Sequence, residues 1–152
     1  MEEAFDHLGW ARDGQTLSPN GPSVAQSLEQ RYAIRLPEDF LDYLDHHAPA
    51  EDWWDDHGFI WWAPERIKSI RDECGTKMPG TPNNAEIEKE QDLYLVFADF
   101  LIWCYAYAIC CSEGPDRGKV ALIGGSPDRF VADSFSHFVQ LATSDSRGLH
   151  PT

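Results

Sequence analysis

Basic residues are scarce in this sequence of 152 residues, which has 12 Lys and Arg against 26 Asp and Glu and a formal net charge of −14. A chain with this charge repels phosphate backbones and anionic lipid, so nucleic acid and membrane are not expected as partners. A basic partner is favoured instead. The acidity also has a simpler explanation, since a large net charge by itself keeps a protein soluble.

Long apolar runs are missing as well. No stretch of the sequence approaches the roughly 20 apolar residues that span a bilayer. The N-terminal sequence MEEAFDHLGWARDG is acidic and lacks the basic and apolar regions of a secretory signal. The cysteines, at Cys74, Cys104, Cys110 and Cys111, form a poor disulfide framework. We therefore expect a cytoplasmic protein with reduced and mostly buried thiols.

Motifs for metal binding and catalysis are also lacking. Zinc sites usually show two pairs of ligands with two to four residues between them, whereas Cys110-Cys111 and His46-His47 are adjacent. No cysteine sits at the exposed, electropositive helix start that a catalytic thiolate needs. We expect no enzyme activity, no catalytic residue, no metal ligand and no cofactor. A small hydrolase that uses Cys104 or a pair of carboxylates is the least favoured alternative.

Helical spacing dominates the first half of the chain and strand patterns dominate the second. Apolar residues predict a helix from Ser23, begun by a Ser23–Gln26 capping box, a second helix from Pro37, and a third from Pro64 through Cys74. Strands are predicted at 59–62, 93–98, 101–111, 119–123 and 129–132, and Asp133 caps a final helix. Residues 22–144 then form one domain, with an N-terminal extension at 1–21 and a C-terminal tail at 145–152.

This segregated order of helices and strands predicts an α+β fold. A single mixed or mostly antiparallel sheet is expected, with the helices packed against it. The sequence does not predict the oligomeric state.

The charge is concentrated in one segment. Residues 36–65 contain no Lys or Arg, and they hold nine of the acidic residues and four of the six tryptophans. Tryptophan is enriched at binding hot spots, so acids interleaved with tryptophan differ from an ordinary solvated surface. The predicted partner-binding residues are those of the acidic loop: Glu51, Asp52, Trp53, Trp54, Asp55 and Asp56. The alternative is that one or both of Trp53 and Trp54 pack on the core.

Four motifs follow one another along the chain: LPEDFL with YL at 36–44, WAPERI at 62–67, FADF at 97–100 followed by WCYAYAI at 103–109, and VADSFSHF at 131–138. In this order they resemble the SUKH superfamily, in its Smi/Knr-like branch. The resemblance covers about residues 23–143. The 75–92 loop, the Cys110-Cys111 pair and residues 1–21 depart from the common pattern or lie outside it.

The resemblance implies an α+β fold and a non-enzymatic role. Many bacterial members resemble immunity proteins, which bind and neutralise a cognate polymorphic toxin that is often a nuclease. We therefore expect an immunity protein that binds a basic protein toxin through its acidic, Trp-bearing surface. A regulatory scaffold without a toxin partner, as the yeast relatives resemble, is the alternative.

Overall fold

The computed structural model describes residues 5, 8–12, 17–75, 84–124, 128–144 and 146–151. Its α-helices are α1 (Gly9–Arg12), α2 (Gly21–Tyr32), α3 (Glu38–His46), α4 (Ile70–Cys74), α5 (Ala85–Lys89) and α6 (Phe135–Thr143). Its strands are β1 (Trp53–Trp54), β2 (Phe59–Trp61), β3 (Lys68–Ser69), β4 (Tyr94–Phe100), β5 (Tyr105–Cys110), β6 (Val120–Ile123) and β7 (Arg129–Ala132). The predicted α+β fold with one sheet is confirmed, and every paired strand in it is antiparallel.

The sheet has the strand order β1-β2-β4-β5-β6-β7, and β3 also pairs with β4. Strand β2 pairs with the second half of β4, where Trp61 lies opposite Ala98, and β3 pairs with the first half, where Lys68 lies opposite Val96. Two short strands therefore share one edge of β4. A bulge in β4 between Val96 and Ala98 marks the junction, and the Phe97 carbonyl there accepts a hydrogen bond from the Trp62 amide.

Aromatic side chains join one face of the sheet to α3 and α6. Tyr43 of α3 and Phe135 of α6 have ring centroids 4.6 Å apart, and Phe138 lies 5.2 Å from Phe97 and 4.9 Å from Tyr107 of the sheet. Aromatic rings dominate this core, and several pairs of them meet edge to face. Such contacts stabilise the core beyond the burial of apolar area alone.

A buried carboxylate also links α3 to α6. Asp39, in the first turn of α3, accepts hydrogen bonds from the backbone amide and the hydroxyl of Ser136. Ser134 caps α6 by accepting from the His137 amide. The cap is therefore Ser134 and not the predicted Asp133, because it is the Ser134 hydroxyl that reaches the third amide of the helix.

Three other predictions about local structure are wrong. The Ser23–Gln26 capping box is absent, because α2 begins earlier and the Ser23 hydroxyl donates to the Asn20 carbonyl. The single helix from Pro64 to Cys74 is replaced by a 3-10 turn (Pro64–Arg66), β3 and α4, since the free edge of β4 draws the middle of the segment into the sheet. The strand 101–111 begins only at Tyr105.

The described residues at both ends of the chain pack on the same core. Phe5, Leu8 and Trp10 are buried, and the Trp10 indole donates a 2.6 Å hydrogen bond to the His47 carbonyl. Near the C-terminus Leu149 is buried, and its carbonyl accepts from the Tyr107 hydroxyl at 2.7 Å. The extension at 1–21 and the tail at 145–152 therefore both contribute side chains to the hydrophobic core.

We predict that Trp10→Ala lowers the free energy of unfolding by about 3–5 kcal/mol, because it removes a fully buried indole and leaves a cavity. Urea denaturation followed by circular dichroism measures the loss. Trp54→Ala is the matched control, since it removes the same side chain from a position that is 60% exposed. An equal loss of stability in the two variants would contradict the placement of Trp10.

Candidate functional site

The predicted binding loop forms β1 and the turn that follows it. Neighbouring residues of a strand point to opposite faces, so Trp53 and Trp54 separate. Trp53 is half-buried, with its ring 6.2 Å from Trp10, whereas Trp54 is 60% exposed. One of the two tryptophans therefore belongs to the core and only Trp54 is available to a partner.

Asp55 holds the turn between β1 and β2 in place. One of its carboxylate oxygens accepts from the backbone amides of His57 and Phe59, and the other accepts from the Trp61 indole at 3.0 Å. Asp52 also has structural contacts, because it accepts from the Ala63 amide at 2.8 Å and pairs with Arg66 at 2.6 Å. These two acids help to fix the loop, while Glu51 and Asp56 are exposed.

The structure adds Asp99, a residue that sequence analysis did not single out. Asp99 lies in β4 and is almost fully buried. One carboxylate oxygen accepts from the Trp103 backbone amide at 3.0 Å, and the other accepts from the Trp62 indole at 2.8 Å. Arg66 reaches the same second oxygen at 3.6 Å while its guanidinium lies 4.0 Å above the Trp62 ring. A lone aspartate inside the apolar motif FADF was the available signal.

The turn after β4 has an unusual backbone. Leu101, Ile102 and Trp103 have φ values of 47°, 56° and 62°, so three consecutive residues are left-handed. This conformation costs about 1–2 kcal/mol for each residue with a side chain, and it is rarest for β-branched residues such as Ile102. Side chains therefore no longer alternate between the two faces of the sheet in this turn. Leu101 and Ile102 are exposed by 54% and 72%.

Hydrogen bonds from three elements hold this turn. Asp99 accepts from the Trp103 amide, and the Trp103 indole donates to Glu73 of α4 at 2.8 Å. The Leu101 amide donates to the Gly58 carbonyl at 3.0 Å. Gly58 itself has φ +98°, and an added Cβ would lie 3.0–3.1 Å from the side chains of Phe100 and Leu101. Strain that is held so firmly is typical of functional sites.

The turn and β1 together form one surface. Trp54 lies opposite Ile60 in β2, and Ile60 lies opposite Asp99 in β4, so these three side chains are neighbours on the same face of the sheet. A cleft of about 140 Å³ opens there. It is lined by Asp52, Trp54, Ile60, Arg66, Asp99, Ile102 and Trp103. We call this cleft, with the exposed side chains of Trp54, Leu101 and Ile102, the Trp54 surface.

The three buried thiols of the chain are poor nucleophiles. Burial raises the pKa of Cys74 to about 11, and it raises the pKa of Cys110 and Cys111 as well. These three thiols therefore stay protonated at neutral pH. Cys104 is exposed, and its thiol lies 3.4 Å from the Leu101 carbonyl oxygen. It lies in the left-handed turn and not in the apolar strand in which the sequence placed it.

Two further properties concern the described parts of the chain. They contain no group of three or more His, Cys, Asp and Glu side chains arranged to hold a metal ion. None of the helices in these parts is long and apolar enough to cross a membrane.

We predict that Asp99→Asn lowers the free energy of unfolding by about 1.5–3 kcal/mol, the range for hydrogen bonds to a charged group. Asp99 uses both oxygens, whereas an amide offers one, so either the Trp62 indole or the Trp103 amide loses its acceptor. Chemical denaturation measures the change. Asp92→Asn is the control, because Asp92 pairs with Arg71 at a largely exposed position and its loss should cost under about 0.5 kcal/mol.

We also predict that one thiol of the folded protein reacts rapidly with a disulfide reagent at pH 8, while the other three react only as the protein opens. Cys104→Ser should remove the fast phase and Cys74→Ala should keep it, because Cys104 is exposed and Cys74 is buried. Absorbance of the released thiolate gives the stoichiometry. A slow reaction at all four thiols would place Cys104 back in a buried strand.

No protein-family model matches the chain, and no curated protein or solved structure matches it either. Membership of the SUKH superfamily therefore stays a prediction that rests on the four sequence motifs.

Proposed function

We propose that this chain is a non-enzymatic immunity protein of the SUKH type, which binds and neutralises a cognate basic protein toxin. The observation that carries the proposal is the Trp54 surface. It presents Trp54, Leu101 and Ile102, three of the large apolar side chains that are exposed in the described parts of the chain. An exposed apolar cluster with polar neighbours is typical of a protein-binding site.

The turn supports this proposal because its strain has no evident benefit for the fold. A glycine or asparagine would adopt the left-handed conformation at lower cost than Leu101 or Ile102. Hydrogen bonds already hold the backbone of this turn, so little backbone freedom is lost there when a partner binds. Preorganised anchors of this kind raise affinity by reducing the entropy lost on binding.

Charge supports the basic character of the partner. Glu51 and Asp56 are exposed in the same loop as Trp54, and the whole chain carries a net charge of −14. Such a field speeds the encounter with a basic protein, which matters when a free toxin molecule is lethal. A nuclease is the toxin class that fits best, because its active site is built to attract phosphate and would also attract carboxylates.

The proposal predicts that this chain protects cells from the product of a neighbouring toxin gene and co-purifies with it. Trp54→Ala and Ile102→Ser should each weaken binding at least about 30-fold, the equivalent of about 2 kcal/mol for a hot-spot residue. Surface plasmon resonance measures affinity, and survival on co-expression measures protection. Leu17→Ser is the matched control, since Leu17 is an exposed apolar residue that does not line the cleft.

The steering acids are tested separately from the anchors. Glu51→Lys combined with Asp56→Lys should slow association and reduce its salt dependence, while dissociation changes little. Glu86→Lys with Glu88→Lys, which are exposed on α5, makes the same change in net charge elsewhere. Failure of the wild-type chain either to protect cells or to bind the toxin would refute the proposed function.

A further inference from the structure

The cleft of the Trp54 surface, called the Trp54 cleft from here on, has the size and composition to receive one long side chain of a partner. Its volume is about 140 Å³, and its walls combine the aromatic rings of Trp54 and Trp103 with the aliphatic side chains of Ile60 and Ile102. Asp52, Arg66 and Asp99 supply its charged groups. The occupant must therefore suit both an apolar wall and a charged one.

The charged groups of the cleft carry a net charge of −1. Arg66 pairs with Asp52 at 2.6 Å and approaches Asp99 at 3.6 Å, so one guanidinium faces two carboxylates. Asp99 is almost fully buried, whereas about a third of the Asp52 side chain is exposed. Asp52 is consequently the carboxylate that an incoming group can reach.

Asp52 has acceptor capacity to spare. An ionised carboxylate has about four lone-pair sites, and here one oxygen accepts from the Ala63 amide and the other from Arg66. An apolar occupant would displace water from the remaining acceptor sites of Asp52 and from Arg66. It would offer these groups no hydrogen bonds in return, so its binding would be costly. A carboxylate from a partner would be repelled by the net negative charge of the cleft. A cation satisfies both the acceptor and the charge.

Trp54 adds a preference among cations. Its exposed indole is the best aromatic surface for a cation, and a planar guanidinium stacks on such a ring while it pairs with a carboxylate. The chain already uses this chemistry next to the cleft, where the Arg66 guanidinium lies 4.0 Å above the Trp62 ring and pairs with Asp52. The methylene groups of an arginine would lie along Ile60 and Ile102.

We propose that the Trp54 cleft is an arginine-binding slot, in which a partner's guanidinium stacks on Trp54 and donates a hydrogen bond to Asp52. This inference deepens the proposed function, on which it rests for the identity of the protein that carries the arginine. It defines the contact chemistry of the slot: one arginine side chain of a basic protein, inserted between Trp54 and Ile102.

The slot is tested with Nα-acetyl-arginine N-methylamide as the probe, added to the full chain at constant ionic strength. Two-dimensional ¹H–¹⁵N NMR follows the indole resonances of Trp54 and Trp103. We expect saturable shifts of both, with half-saturation on the order of 10 mM, as a single stacked and hydrogen-bonded cation would give. The matching citrulline derivative, which is neutral and similar in shape, should give shifts at least about five-fold smaller at the same concentration.

Variants locate the binding. Asp52→Asn should weaken the response to the arginine probe several-fold, and Glu88→Gln, which removes one negative charge from α5, should leave it unchanged. Because Asp52 also supports the Ala63 amide, the spectrum of Asp52→Asn outside the cleft reports whether its fold is kept; Ile102→Ser, which leaves that hydrogen bond intact, is the second variant and should weaken the response too. Equal shifts by the arginine and citrulline probes, or an arginine response that neither variant alters, would overturn the slot.

The result separates the slot from the proposed function. If the arginine probe fails while Trp54→Ala still weakens toxin binding as predicted, the slot is wrong and the immunity function stands. If the probe binds as expected but the chain neither protects cells nor binds the toxin, the slot stands and its arginine belongs to another basic protein.

Discussion

The carboxylate of Asp99 is the constraint on which the Trp54 surface depends. A buried charge is stable only when it is well paired and fully hydrogen-bonded, and Asp99 meets this condition through the Trp62 indole, the Trp103 amide and Arg66. Each of these partners belongs to a different part of the chain. One side chain thereby fixes the end of β2, the turn after β4 and the 3-10 turn before β3 relative to one another.

The acids of the loop at 51–56 have two roles, one structural and one that supplies surface charge, and the composition of the loop does not distinguish them. The carboxylates of Asp55 and Asp52 accept hydrogen bonds from backbone amides, the Trp61 indole and Arg66. These two acids therefore hold the loop in place. Glu51 and Asp56 are exposed and contribute negative charge to the surface. A charge count therefore overstates the number of acids that are free to steer a partner, although the local excess of negative charge is real.

Much of the fold was predictable from the sequence because it follows local rules. The helix after Pro37 has strong apolar periodicity, and the strand at 129–132 has clear boundaries; the structure contains both. The apolar spacing of the 64–74 segment suits one helix, but its structure is decided by the free edge of β4, which lies far away in sequence. Tertiary pairing overrode local propensity there.

The candidate site was predictable only in part, for a related reason. Tryptophan among acids identified the loop that contains Trp54, and strand alternation decides which of the two tryptophans is exposed once β1 is known. Nothing in the apolar run at 101–111 indicates a left-handed turn, since the residues that would favour one, glycine or asparagine, are absent from it. Contacts with Asp99, Gly58 and Glu73 impose the turn, and these residues come together only in the folded protein.

The left-handed turn also separates the shape of the surface from its chemistry. The groups that fix its backbone are Asp99, Glu73 and the carbonyl of Gly58, whereas the side chains of Leu101 and Ile102 are exposed. In the binding role proposed above, substitutions at these two positions alter partner choice while the scaffold beneath them is unchanged. A family of such proteins would be free to change its binding specificity at two neighbouring codons, while the packing of the sheet stays the same.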